Sequence, residues 1–286
     1  MSKESLEGWR RFNVNESSLS ARVMHRVVAM VHPDRYPQFQ RLMLLMRAID
    51  NLVDEGNSFE EAKKLIKEQW IALSKMSKFE NLSSDLSFLG TELNALVNGI
   101  HDKDLKLNFI KHYQKLLFYY YLDLLHRKHA KPYREDRLTK HREGGFYHLF
   151  GAIKILLRDS DLEKSNFKDL MDAWAEAEPL DDIEEDLPVG LVLYSPKDGA
   201  DWVKNLKKHE AVNIKEIDAF VRKIRWQLSR GLLNSFMAGY QEFGGIVGLL
   251  MSLDFAKRGV FLLTKRFQPK EEVVFASKSF SNNLEN

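Results

Sequence analysis

The sequence predicts an all-α fold, and three observations carry that expectation. Apolar residues recur at i, i+3, i+4 and i+7 along most of the 286 residues. Chain breakers are few, with 7 prolines and 15 glycines, and they cluster. Alternation of period two is nearly absent, Val189–Tyr194 being the single short strand candidate. Taken in order, the stripes begin with Leu42, Leu45, Met46, Ile49, Leu52 and Val53. Leu65, Ile66, Trp70 and Leu73 follow. Leu107, Ile110, Leu117, Tyr121 and Leu124 give a third stripe, and Phe150, Ile153, Leu156 and Leu157 a fourth. Phe220, Ile224, Leu228, Leu232 and Phe236 give the fifth. Pro33 with Pro37, Pro132 with Gly144–Gly145, and Pro179, Pro188 and Pro196 mark the expected breaks. One helical domain is expected over residues 10–268, with 269–286 as a flexible tail.

Composition narrows the function classes. Lys+Arg number 43 and Asp+Glu 41, a net charge of +2, so no dominant basic field points to nucleic acid. There is no cysteine. Thiol nucleophiles, disulfides, Cys-ligated zinc and iron–sulfur clusters are excluded, and a metal must use oxygen or His ligands. No apolar run reaches the roughly 18 residues that span a bilayer. Cytoplasmic residence is the expectation, with peripheral membrane contact left open through the apolar segments Leu116–Leu125 and Phe243–Leu263. No Walker motif, strand–GxGxxG–helix or GxSxG signature occurs.

Two acidic clusters carry the chemistry. In the first, Asp50 and Asp54 are four apart on a helical pattern, which puts both carboxylates on one face, one turn apart. Such a pair costs a few tenths of a kcal/mol through repulsion. A hard divalent cation is the usual compensation, since Mg²⁺ takes one or two carboxylates and completes its shell with water and phosphate oxygens. Arg47, three residues before Asp50, could neutralise a carboxylate or grip a phosphate. The second cluster, Asp181-Asp182-Ile-Glu184-Glu185-Asp186, repeats the spacing with Asp182 and Asp186, and Glu185 stands beside them. The competing reading of each cluster is a solvated helix face. The apolar setting LMLLMRAIDNLV opposes it for the first, whereas the second lies in a generally acidic stretch. His126 and His129 are spaced i, i+3, but no third ligand accompanies them. Lys128, Lys131, Arg134, Arg137, Lys140 and Arg142 read most simply as an exposed basic loop.

RAIDNLVDE resembles the first aspartate-rich motif of the squalene/phytoene synthase family. DIEED, followed by Gly190 and Val192-Leu-Tyr194-Ser-Pro196, resembles its second. Ser17-Ser18-Leu-Ser20-Ala21, Tyr121-Leu-Asp123-Leu124 with Tyr133-Arg134, and Phe146-Tyr147-His-Leu-Phe-Gly151 are weaker likenesses in collinear order. The resemblance implies an isoprenoid-synthase helical bundle around a central apolar cavity. It implies Mg²⁺ held by Asp50, Asp54, Asp182, Glu185 and Asp186, and a prenyl diphosphate substrate met by Arg47, Ser20, Tyr133, Arg134, Tyr147 and Tyr194. Its reaction is head-to-head prenyl transfer. The chain departs from the family where Ala175, Glu178 and Asp181 replace Gln, Asn and Arg. Pro188 and Val189 replace basic residues, and Asn51 replaces an Asp. Those changes suit a class I terpene synthase acting on one prenyl diphosphate, and also a non-catalytic relative serving as a binding or assembly protein.

With prenyl diphosphate as substrate, ionisation would call for a dry cavity and electron-rich walls. The chain carries 18 Phe, 9 Tyr and 5 Trp, and an aromatic face stabilises a cation by about 0.5–2 kcal/mol. Phe118–Tyr121 run consecutively, so at least one of the four should point inward on a helix.

Overall fold

A computed structural model describes residues 19–54, 59–78, 80, 88–129, 132–160, 183–187, 191–195, 197, 199–208, 212–234 and 236–264. The fold is all-α, with no β-strand among the described residues. The helices are α1 (Leu19–Val31), α2 (Tyr36–Asp54), α3 (Phe59–Ser77), α4 (Phe88–Asn98), α5 (Lys103–His129), α6 (Glu135–Arg158), α7 (Ile183–Asp186), α8 (Asp201–Lys207), α9 (Ile214–Asn234), α10 (Phe236–Phe243) and α11 (Gly245–Thr264). The chain divides into two compact units. Unit 1 comprises residues 1–120, 147–167 and 237–254, and unit 2 comprises 121–146, 168–236 and 255–286.

In unit 1, α1 stops at Pro33, whose ring disfavours helical geometry in the preceding residue. Helix α2 takes Pro37 in its first turn, where a missing N–H costs nothing. It packs against α1, α3 and α4 and buries Phe39, Leu42, Leu44, Leu45, Met46, Ala48, Ile49 and Val53. Arg41 donates to Glu92 of α4 at 3.0 Å. Helix α3 has Glu60 and Glu61 in its first turn and Lys75 in its last, complementing the helix dipole. Its buried line is Phe59, Ala62, Ile66, Gln69, Leu73 and Met76. Trp70, expected on that line, is instead 39% exposed. Gln69 takes the inward place because the buried Tyr113 hydroxyl donates to its Oε1 at 2.8 Å.

The C-terminus of α6 is closed by Arg35, which donates to the Leu156 carbonyl at 3.4 Å and pairs with Asp159. Asp159 adopts a left-handed φ of 49°, tolerable for a short polar side chain. Lys154 of α6 and Glu242 of α10 form a 2.7 Å ion pair with side chains only 12% and 3% exposed. Gly244, at φ +63°, turns the chain from α10 into α11, and its N–H bonds the Tyr240 carbonyl at 2.8 Å.

In unit 2, α8 and α9 pack together. Tyr194, Trp202 and Phe220 meet edge to face at 5.5–5.9 Å between centroids. Asn213 caps α9 by accepting the Lys215 N–H at 2.8 Å.

Three further expectations change. Residues 191–194 of the strand candidate form neither strand nor helix. Helix α6 runs unbroken through Gly144 and Gly145, since a helical glycine costs about 1 kcal/mol and does not itself end the helix. The basic run is only partly a loop. Arg134 lies in the connection before α6, as expected, and Lys131 lies outside the described residues, but Lys128 is in the last turn of α5, and Arg137, Lys140 and Arg142 lie in the first turns of α6. The last turn of α5 (His126, Arg127, Lys128, His129) places positive charge at the negative end of its dipole. The tail 269–286 lies outside the described residues.

Candidate functional site

The first acidic motif occupies the last turns of α2. Met46, Ala48, Ile49 and Val53 are buried, whereas Arg47 and Asp50 reach solvent, their side chains 52% and 33% exposed. Arg47 Nη1 donates to Asp50 Oδ2 at 2.8 Å. Of the two roles open to Arg47, the structure therefore displays carboxylate neutralisation. Asp54 ends the helix one turn on, and its side chain lies outside the described residues.

In the second motif Asp182 lies outside the described residues, as does the side chain of Glu185. Asp186 is half-buried at the end of α7, and its carbonyl accepts the Leu191 N–H at 3.0 Å. With Ile183, Leu187, Val192, Tyr194 and Trp202 it lines a hollow no larger than a water molecule. Asp50 belongs to unit 1 and Asp186 to unit 2. Both described carboxylates are partly accessible hard oxygen donors, the chemistry a hydrated Mg²⁺ requires. Among the described residues no three His, Asp or Glu side chains converge as a metal group.

The expected substrate contacts divide between the units. Tyr147, in unit 1, is half-buried and lies 5.6 Å from the His112 ring and 5.2 Å from His148. His112 and His148 meet Nδ1 to Nδ1 at 2.9 Å, so one nitrogen carries the shared proton and the other accepts it. Gly151 makes room for this pair: a Cβ there would stand 2.3 Å from the His112 ring. Tyr119 stacks on His148 at 6.1 Å. All four residues Phe118–Tyr121 are intermediate in exposure rather than buried.

Tyr133, in unit 2, is 1% exposed. Its hydroxyl donates to Asp123 and stands 3.4 Å from His141 Nδ1, and His141 Nε2 lies 3.4 Å from the same carboxylate. His126 stacks on the Tyr133 ring at 3.5 Å and 11°. Burial first, and then the Asp123 carboxylate, hold the Tyr133 hydroxyl well above its ordinary pKa. The phenol therefore stays protonated and acts as a donor. Arg134 is exposed and paired with Asp136 at 3.2 Å. Tyr194 is buried in the aromatic trio. Ser20 lies in the first turn of α1, its side chain outside the described residues.

Sequence reasoning did not find the pairing of His112 with His148, or of Asp123 with His141. His148 stands inside the aromatic stretch already singled out. His112 is 36 residues away, and no local spacing connects them. Comparison with protein-family models, curated proteins and solved structures found no match. Among the described residues, no helix is long and apolar enough to cross a membrane.

Proposed function

We propose that the chain is a Mg²⁺-dependent enzyme of squalene/phytoene synthase type that ionises a prenyl diphosphate and carries out head-to-head prenyl transfer. One observation carries this reading: the Arg47–Asp50 pair faces solvent from a helix whose adjacent residues are buried. A guanidinium held beside a carboxylate at the surface can exchange that carboxylate for phosphate oxygens, which it grips with two parallel N–H donors. Asp50, Asp54, Asp182, Glu185 and Asp186 would hold the cation. When bound, Mg²⁺ offsets the negative charge that builds on the departing diphosphate. Arg47 then orients that group. The half-buried rings of Tyr119 and Tyr147 offer faces of the kind that stabilise nearby positive charge.

The test is incubation with geranyl, farnesyl and geranylgeranyl diphosphates and MgCl₂, following diphosphate release and identifying products by gas chromatography. Prenyl transfer gives a hydrocarbon of doubled carbon number and two diphosphates per product. The altered positions Ala175, Glu178 and Asp181 favour a second reading, a terpene synthase, which gives one diphosphate and an undoubled chain. No release from any substrate refutes both and leaves the binding or assembly protein. Asp54→Asn should cut release at least about a hundredfold with the far-UV spectrum unchanged, and Asp182→Asn should shift the Mg²⁺ titration to higher concentration.

A further inference from the structure

Helix α9, which lies wholly within unit 2, carries positive charge out of proportion to the rest of the chain. It holds Lys215, Arg222, Lys223, Arg225 and Arg230 against Glu216 and Asp218, a surplus of three charges, whereas all 286 residues together reach only +2. One face is spent on packing: Ile214, Ile217, Asp218, Val221 and Ser229 are buried. Lys215, Arg222, Lys223, Trp226 and Arg230 are exposed, and at 3.6 residues per turn they fall on one arc of about 100°. Asp218 is taken up by Arg222, and Glu216 stands exposed at the edge of the arc. Trp226 is 67% exposed, with Arg222, Lys223 and Arg230 each one turn away. A ring left so far in water gains little from the chain's own core.

We propose that this face of α9 docks on an anionic lipid surface, its cations meeting phosphate headgroups and the Trp226 ring entering the headgroup layer. Indole suits that boundary, because the ring is apolar while its N–H finds a polar partner. Clusters of four or more Lys and Arg are drawn to acidic lipids, each side chain near the surface adding roughly fivefold in affinity. Other anionic partners fit less well. A single-stranded nucleic acid takes a groove and several stacked rings, whereas α9 offers one exposed ring on the convex side of one helix among its described side chains. A protein interface depletes its centre of charge, and here cations surround the ring. The proposal does not rest on the enzymatic reading, since empty vesicles carry no prenyl diphosphate.

Co-sedimentation of the full chain with vesicles tests this. The wild type should pellet with phosphatidylcholine vesicles containing about one third phosphatidylglycerol, and stay in solution with phosphatidylcholine alone. About 1 M NaCl, which shortens the Debye length to about 3 Å, should release it. Trp226→Ala should weaken binding about tenfold. Lys223→Glu combined with Arg230→Glu should weaken it at least about a hundredfold, with the helical signal intact. Equal binding to both kinds of vesicle, binding to neither, or variants that bind as the wild type does overturns the proposal. So does a wild type that ignores vesicles yet retains single-stranded polyuridylate, which would make nucleic acid the occupant. Should the charge reversals unsettle the helix, a gentler variant decides. Vesicles with brominated acyl chains should quench the tryptophan fluorescence of the wild type more than that of Trp226→Phe, and equal quenching overturns the seating of α9.

Discussion

The two units bury polar chemistry in different ways. Unit 1 encloses a full ion pair, Lys154–Glu242, and holds a part-buried pair of histidines hydrogen-bonded to each other. Unit 2 encloses a phenol donating to a carboxylate, Tyr133 on Asp123, while its Lys197–Glu135 pair stands at the surface with side chains 73% and 57% exposed. Burial, rather than charge, decides what each arrangement contributes. An enclosed ion becomes costly when its partner is removed, and an exposed one is rehydrated by water.

Substitutions in both units put that contrast to the test. Glu242→Gln should have the largest effect. It leaves Lys154 enclosed without its counter-charge and should lower unfolding free energy by about 3–5 kcal/mol in urea titration. A loss near zero would mean that water reaches the pair. Tyr133→Phe should cost about 2 kcal/mol, since Asp123 loses a donor but keeps His141.

A third effect depends on pH. Burial holds the His25 imidazole below its ordinary 6.5, so the unfolded chain takes up the proton first. The contribution of His25 is therefore complete above about pH 6.5 and is lost as pH falls from there through the lower folded-state pKa. His25→Phe keeps the ring contacts with Tyr36 and Phe39 but gives up the 3.4 Å bond between the Tyr36 hydroxyl and His25 Nδ1, and should reduce the fall in stability between about pH 8 and pH 5.5. His32, displaced in the same direction chiefly by burial, keeps part of that fall. The smallest effect belongs to unit 2: Lys197→Ala should change stability by no more than about 0.5 kcal/mol.

The helices were legible in the sequence because each must hide one stripe, and the stripe has the helical period. Deviations arose where a distant partner overrules local pattern. Gln69 replaces Trp70 on the inward line of α3 only because Tyr113, 44 residues away, supplies a hydroxyl. Gly144 and Gly145 looked like a break and lie inside α6. Of the candidate site, the closeness of Arg47 to Asp50 was readable because both lie on one helix turn. The meeting of His112 with His148 was not, since it depends on how α5 and α6 lie side by side, which composition and spacing do not encode.

The bond from Tyr113 to Gln69 has a consequence for the order of the core. Sliding α3 by one helical turn along α5, about 5.4 Å, would exchange greasy neighbours at little cost, because leucine, isoleucine and methionine substitute for one another readily. The same slide would strand a phenol and an amide in a place that water does not reach. This single contact works as a detent: it adds modestly to the depth of the native state and much more to its uniqueness.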